Sequence, residues 1–352
     1  MYGYSGSSRR SFGVFLAACV TAGLHSLPAR AADPQTVVVA SFGSLWQDAL
    51  EKALAPFEAS HNVKIRFTAG SSADNVARAI ASRNHPDVDV VMGEEMTFGQ
   101  GHQEQIWAKL DPAIVTNLKN VVKPALMGDG EGVGVIMQSI GLFYRTDVFQ
   151  KNGWAPPDSW TALADKKYCH RIGLGDPNVS FTYYALMMLG GGKPDDVPAG
   201  TKLLATNRDC IDTLDPSAAK TVDKVQLGDD DIGVLAHELI VTMAQRGLPI
   251  RFVHPREGSI LQFTTAAIAK NAPNPQMAQQ LVNEMLSPAV QRVLVDQFYV
   301  SPVDPSVTVP PALIEAGAPD PNHVDRYIAI DAGVILPNRQ RFIRDAIRTM
   351  AQ

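Results

Sequence analysis

The apolar positions after residue 35 follow two periods in turn. Residues 36–42 form a continuous β-branched run, which predicts a buried strand, and residues 45–57 carry apolar side chains every three or four positions, which predicts an amphipathic helix. The same alternation continues with a strand at 63–67, a helix at 72–83 and a strand at 88–92. This βαβαβ order predicts parallel strands with helices on both faces, and such sheets bind ligands beyond the carboxyl ends of their strands.

A second series of strands and helices follows after a Gly-rich approach at 128–134. The sequence predicts strands at 171–174, 231–235, 250–253 and 259–268, with helices at 181–189, 201–206 and 236–246. The C-terminal part is predicted to be helical, and the Pro-rich stretch 301–321 is predicted to be a surface connection. The pattern therefore predicts two α/β units.

Composition supports two ordinary globular units. The chain has 352 residues, of which 45% are hydrophobic and 19% are charged. Without residues 1–31, which hold three arginines and no acid, 28 basic residues remain against 36 acidic residues, a net charge of −8. Since the basic residues are scattered, no nucleic-acid partner is expected.

Residues 1–31 have the pattern of an export signal. Arg9 and Arg10 resemble a twin-arginine motif, residues 12–24 form a short apolar stretch, and a small-x-small site ends at Ala31. A general secretory signal is the alternative, and Cys19 follows a sequence that matches a lipoprotein cleavage box. No later stretch reaches the ~20 apolar residues of a membrane span.

Cleavage after Ala31 leaves two cysteines, Cys169 and Cys210. An even pair in an oxidising compartment favours one disulfide, and two free buried thiols are the alternative.

Motifs of known enzyme classes are missing from the sequence. It contains no phosphate-binding Walker loop, no nucleophile-elbow Gly-x-Ser-x-Gly, no His-Glu-x-x-His and no cysteine cluster spaced for zinc. We therefore expect no enzymatic activity and no cofactor. An exported hydrolase with His237 as base and Glu238 as its orienter is the contrasting hypothesis.

Residues 141–149, followed by Gly153, Pro156-Pro157 and Ser159-Trp160, resemble the start of the second lobe in the spermidine/putrescine-like group of bacterial periplasmic solute-binding proteins. Further matching segments occur in the same order along the chain, at 67–75, 88–90, 108–112, 126–130 and 287–291.

The resemblance implies a type II periplasmic-binding-protein fold, in which two α/β lobes joined by two crossover strands close on a solute and present it to an ABC permease in the inner membrane. Lobe 1 is expected to comprise residues 32–138 and 262–352, and lobe 2 residues 139–261. The hinges are expected at 136–140 and 259–262, and the protein is expected to be a periplasmic monomer.

Side chains at the ends of strands are the candidate ligand contacts. Five of them have a structural alternative: Trp46 can be a core residue of its helix, Ser71 and Ser72 can cap a helix, and Glu94 and Glu95 can complement a helix N-terminus. The candidates are Trp46, Ser71, Ser72, Glu94, Glu95, Ser139, Asn178, Thr182, His237 and Glu238.

The acids favour a polyamine-like organic cation, but the segment 231–238 lacks the aromatic residue that related sequences carry there. A small organic anion held by Ser71, Ser72 and Asn178 is one alternative ligand. Ferric iron is the other, although the pair Tyr183-Tyr184 does not follow the strand that carries the tyrosine ligands in ferric relatives.

Overall fold

The computed structural model describes residues 34–43 and 45–351. The predicted export signal, with Arg9, Arg10, Cys19 and Ala31, lies outside this range. Within the described residues, no helix is both long and apolar enough to span a bilayer.

The described residues form twelve strands and twelve α-helices. The strands are β1 (Gln35–Ser41), β2 (Val63–Ala69), β3 (Val90–Glu94), β4 (Trp107–Ala108), β5 (Leu126–Met127), β6 (Gly132–Arg145), β7 (Ile172–Gly173), β8 (Ile232–Ala236), β9 (Ile250–Val253), β10 (Ile260–Ala269), β11 (Ser301–Pro302) and β12 (Ile328–Ala329). The helices are α1 (Leu45–His61), α2 (Ser72–Ala81), α3 (Glu95–Gln103), α4 (Thr146–Asn152), α5 (Ser180–Gly190), α6 (Val197–Ala205), α7 (Ala218–Leu227), α8 (His237–Gln245), α9 (Pro275–Met285), α10 (Pro288–Phe298), α11 (Pro311–Glu315) and α12 (Ala332–Ala351).

One mixed sheet connects the two α/β units. Its main path runs β2-β1-β3-β10-β6-β8-β7, with β1, β2 and β3 parallel, as the sequence predicts. The long strands β6 and β10 pair with each other antiparallel, and both are buried along nearly their whole length. They are the strands by which the chain crosses between the two units.

The described residues form two large hydrophobic cores, and the boundary between them falls within the crossover strands. On β6, Val135, Ile136 and Met137 belong to the first core, whereas Ile140 and Leu142 belong to the second. Apolar residues of β1–β3 fill the first core, and the uniformly buried helix α5 fills the second. The two cores do not by themselves fix lobe limits, so the limits 32–138 with 262–352 and 139–261 stay a prediction.

Helix α12 contacts both units. Its apolar side chains Ile335, Phe342 and Ile343 join the second core, although the sequence assigns this part of the chain to lobe 1. At its start, α12 crosses α3 so closely that a Cβ on Gly99 would lie 2.8 Å from the Cβ of Ala332. Only glycine at position 99 allows this approach.

The Pro-rich stretch 301–321 is not the surface connection that the sequence predicts. It contains β11 and α11, and it buries Val309, Leu313 and Ala318 in a small third core against Val241 of α8 and Val295 of α10. Prolines begin α11 because a first-turn residue needs no N–H for an intrahelical bond, so proline content alone did not indicate exposure.

Cys169 and Cys210 form a disulfide in the structure. The bridge joins the segment before β7 to the segment after α6, 41 residues apart in sequence. A cross-link of this span restricts the unfolded chain, so we expect the double variant Cys169→Ser with Cys210→Ser to melt several degrees lower than the wild type. Alkylation of the native, non-reduced protein followed by mass spectrometry should modify neither cysteine, and modification of both would contradict the bridge.

Candidate ligand-binding cleft

A cleft of about 580 Å³ lies between side chains of the first and the second unit. We call it the acidic cleft, because two carboxyl groups line it: Glu94, at the end of β3, and Glu238, in the first turn of α8. The sequence predicts this position, since ligands in α/β sheets bind beyond the carboxyl ends of strands.

An aromatic wall forms one side of the acidic cleft. The half-buried Trp46 stacks on Phe298, with ring centroids 4.3 Å apart, and contacts Phe42 at 5.7 Å. Phe181 of α5 also lines the cleft. Trp46 thus contacts core residues and the cavity at once, and the stacked rings supply an apolar surface for a carbon chain or a cation.

Glu94 is held by side chains from both units. Its Oε2 accepts hydrogen bonds from Ser180 Oγ at 3.2 Å and from Gln262 Nε2 at 3.4 Å. Burial raises the pKa of Glu94, while the Ser180 hydroxyl and the charge of Arg339 act against this rise. The Ser72 hydroxyl accepts a hydrogen bond from the Glu94 backbone N–H at 2.7 Å. Ser72 therefore positions Glu94.

Glu238 lacks the hydrogen bonds that Glu94 has. Its Oε2 is buried and has no hydrogen-bond partner in the described part of the chain. Burial raises the pKa of Glu238 to about 8, and the nearby charge of Glu94 adds to this rise. Buried polar atoms in folded proteins are nearly always partnered, so an unpaired carboxyl oxygen beside a cavity indicates a place for a donor from outside the chain.

The neighbouring His237 does not supply that donor. His237 is fully buried; its Nδ1 accepts the Ser139 N–H at 3.2 Å and its Nε2 donates to the Tyr299 carbonyl at 2.9 Å. Burial lowers the pKa of His237 to about 3, so the ring is neutral and its Nδ1, 3.4 Å from Glu238 Oε2, offers no proton. With both nitrogens bonded to backbone, His237 is not available as the base of a hydrolase.

Glu95 points away from the acidic cleft. Its Oε2 accepts the Phe263 N–H at 2.9 Å and its Oε1 accepts the Tyr184 hydroxyl at 3.3 Å. Burial raises the pKa of Glu95 to about 8, and the residue borders a separate cavity of about 460 Å³ beside the start of α12. Glu94 is the extended last residue of β3 and Glu95 is the first residue of α3, so the two side chains leave the backbone in different directions.

The remaining candidates do not line the acidic cleft. Ser71 caps α2 in a capping box with Asp74, as its structural alternative predicts. Ser139 is buried and its hydroxyl donates to the Gly317 carbonyl; Thr182 is buried in α5, and Asn178 is exposed, with its carbonyl accepting from Arg339. The structure therefore brings together Trp46, Glu94 and Glu238.

Iron-binding geometry is not evident around the tyrosine pair. Tyr184 is fully buried with its hydroxyl on Glu95, and Tyr183 is fully buried beneath Arg339. Among residues 34–43 and 45–351, no three His, Cys, Asp or Glu side chains are grouped to hold a metal ion.

The sequence places Gln138 of β6 at a strand boundary and Gln262 of β10 in an expected hinge, but the candidate ligand contacts include neither. Gln138 lines the cleft and Gln262 is fully buried behind it. Both belong to strands that are buried along nearly their whole length, and a buried amide needs partners, so a Gln within such a strand was a usable signal.

Comparisons with known proteins agree with this architecture. A γ-aminobutyric acid-binding protein from Pseudomonas aeruginosa is 24% identical over 327 residues, which cover 88% of this chain and 89% of that protein. Among solved structures, an ABC transporter protein from Clostridium perfringens superposes with a TM-score of 0.76 at 21% identity, covering 89% of this chain and 99% of that one. An ABC transporter substrate-binding protein from Bradyrhizobium japonicum superposes with a TM-score of 0.75 at 19% identity, covering 90% and 99%.

These superpositions confirm the predicted periplasmic-binding-protein fold; the finer resemblance to the spermidine/putrescine-like group stays a prediction. The model of the family described as bacterial extracellular solute-binding protein matches residues 52–318, which is more than half of the chain. The chain therefore belongs to the bacterial extracellular solute-binding protein family.

Proposed function

We propose that this protein is the periplasmic, monomeric solute-binding component of an ABC importer, and that its solute is a small organic molecule with a primary ammonium group. The protein captures the solute in the acidic cleft and presents it to a permease in the inner membrane. The observation that carries the ligand class is the buried, unpartnered Oε2 of Glu238 at a cleft that Glu94 also lines.

An ammonium ion complements the cleft in charge and in hydrogen bonding. Two carboxylates in a cavity with an aromatic wall are unfavourable without a counter-charge, because burial removes the water that would solvate them. An ammonium group supplies the positive charge and three N–H donors. Its carbon chain gains from contact with the stacked rings of Trp46 and Phe298.

The proposed class includes polyamines and ω-amino acids. The Pseudomonas aeruginosa relative is named for γ-aminobutyric acid, whose amino end is a primary ammonium. Arg246 of this chain also lines the acidic cleft, and its guanidinium is a partner for the carboxylate at the other end of such a molecule. Ligands of either kind place an ammonium at the two acids.

A thermal-shift screen tests the proposal. We expect 1,4-diaminobutane, spermidine or γ-aminobutyrate to raise the melting temperature with a concentration dependence that follows mass action, equivalent to about 2.7 kcal/mol at 100 times the dissociation constant. The uncharged 1,4-butanediol, which has the same carbon chain, is the matched control and should have no effect. Stabilisation by ferric citrate or succinate without stabilisation by any amine would contradict the ligand class, and turnover of a tested compound would contradict a purely binding role.

A further inference from the structure

We propose that Gln262 determines the selectivity of the acidic cleft for an ammonium group, because its hydrogen bonds commit the neighbouring Gln138 to present a carbonyl oxygen to the ligand. The inference rests on the proposed function, since it concerns how the same cleft recognises its solute. It assigns a positioning role to Gln262 and a ligand contact to Gln138, neither of which follows from the carboxylates themselves.

The two glutamines lie opposite each other where the chain crosses between the units. Gln138 of β6 and Gln262 of β10 are register partners on the paired crossover strands. The Gln138 Nε2 donates to the Gln262 Oε1 at 2.9 Å. Gln262 is fully buried, whereas Gln138 is partly exposed and lines the cleft.

Glu94 sets the orientation of the Gln262 amide. The Gln262 Nε2 lies 3.4 Å from Glu94 Oε2 and 3.5 Å from Ser180 Oγ. The Glu94 Oε2 is an acceptor for both Ser180 and Gln262, so the side of the Gln262 amide that faces Glu94 is the NH₂ group. The Gln262 Oε1 is thereby turned toward Gln138.

Gln262 in turn sets the orientation of Gln138. A carbonyl oxygen only accepts, so Gln138 must direct its NH₂ group at Gln262 Oε1. The Oε1 of Gln138 is then the group left for the cleft, and no donor within residues 34–43 and 45–351 takes it. The acceptor oxygen of Glu94 therefore orients two amides in turn, and the second amide presents a fixed acceptor at the cleft wall.

This relay makes the wall of the cleft a set of acceptors. Glu94, Glu238 and Gln138 Oε1 together match the three N–H donors of a primary ammonium. A carboxylate in the same place would face lone pairs and like charge, which discriminates against anions as well as favouring cations. A freely rotating amide at position 138 would offer its NH₂ group to a carboxylate and weaken this discrimination.

A four-carbon series of ligands tests the relay by isothermal titration calorimetry: 1,4-diaminobutane, γ-aminobutyrate and succinate. In Gln262→Leu, Gln138 loses the acceptor that orients it, so we expect affinity for the diamine to fall at least about tenfold and the preference for diamine over succinate to shrink. In Gln262→Glu, the acceptor for Gln138 remains but a second carboxylate adjoins Glu94. We expect that variant to keep the order of preference and to reach its highest diamine affinity at a higher pH than the wild type.

Gln291→Leu is the matched control, because Gln291 is also fully buried and hydrogen-bonded, to the Val135 and Met285 carbonyls, but lies away from the cleft. It should lower the melting temperature without changing the order of preference. Should Gln262→Leu fail to fold, Gln138→Leu removes the proposed acceptor itself at a partly exposed position and should lose diamine affinity by a similar factor.

The two hypotheses fail in different ways. Wild-type protein that binds succinate and neither amine would contradict the ammonium class and the acceptor wall together. Wild-type protein that prefers the diamine, with the preference and its pH profile unchanged in Gln262→Leu, Gln262→Glu and Gln138→Leu, would overturn the relay and leave the proposed function standing.

Discussion

Replacing Glu94 by Gln is expected to weaken the binding of 1,4-diaminobutane by at least about 30-fold, because loss of one partner of a buried charge pair costs about 2–5 kcal/mol and 1.4 kcal/mol is tenfold in affinity. Glu94 lines the acidic cleft, and no other described carboxyl except Glu238 shares that wall. Glu238→Gln should have an effect of the same size. Titration calorimetry at pH 8.5, above the pKa of about 8 that burial gives Glu238, measures the change.

Glu95→Gln is the matched control for this prediction. It changes the same residue type one position along the chain, but Glu95 bonds to Tyr184 and Phe263 and borders a different cavity. We expect its diamine affinity to stay within about threefold of the wild type, as for a residue outside the contact. An equal loss of affinity in Glu94→Gln and Glu95→Gln would show that the acids act only through the overall charge, and would contradict the assignment of Glu94 to the ligand.

The sequence predicts closely where the strands that border the site end, but it does not predict which of two adjacent residues faces the cleft. Strand β8 ends at Ala236, one residue beyond the predicted limit, and His237 turns into the protein while Glu238 turns into the cleft. The rotation of about 100° per helical residue separates adjacent residues, and only tertiary packing decides which of the two faces the cavity. Of these two candidates, which are adjacent in sequence, only Glu238 therefore lines the cleft.

The fold was predictable where one local pattern dominates and less so where distant segments meet. The alternation that predicts β1, α1 and β2 appears in the structure with limits shifted by only a few residues. By contrast, the packing of α12 on the second core depends on Gly99 in α3, more than 230 positions earlier, and no local pattern encodes that approach. The same holds for the Gln138–Gln262 pair, whose members become neighbours only through the pairing of β6 with β10.

Stability of the ligand-free protein is expected to fall as pH rises from about 6.5 to 8. Burial raises the pKa of Glu95 and of Glu238 from the usual 4.5 to about 8, so between these values the folded protein holds protons that the unfolded chain releases. This stabilisation is fully present below pH 4.5 and is lost as pH passes 8. His237 has the opposite effect at acidic pH. Burial lowers its pKa from 6.5 to about 3, so the stability that its neutral ring contributes is lost as pH falls below 6.5.

An ammonium ligand should offset the loss of stability that ionisation of Glu238 causes as pH rises. Binding favours the ionised carboxylate, so at neutral pH the complex should release protons, and the ligand-induced rise in melting temperature should grow between pH 6 and 8. Calorimetry in buffers with different ionisation enthalpies measures the protons released. Glu238→Gln should lower this proton release, whereas Glu95→Gln should flatten the pH dependence of the ligand-free protein and leave the ligand-linked release intact, because Glu95 does not face the cleft. Proton release that is lost in Glu95→Gln and unchanged in Glu238→Gln would place the ligand beside Glu95, in the cavity at the start of α12, instead of in the acidic cleft.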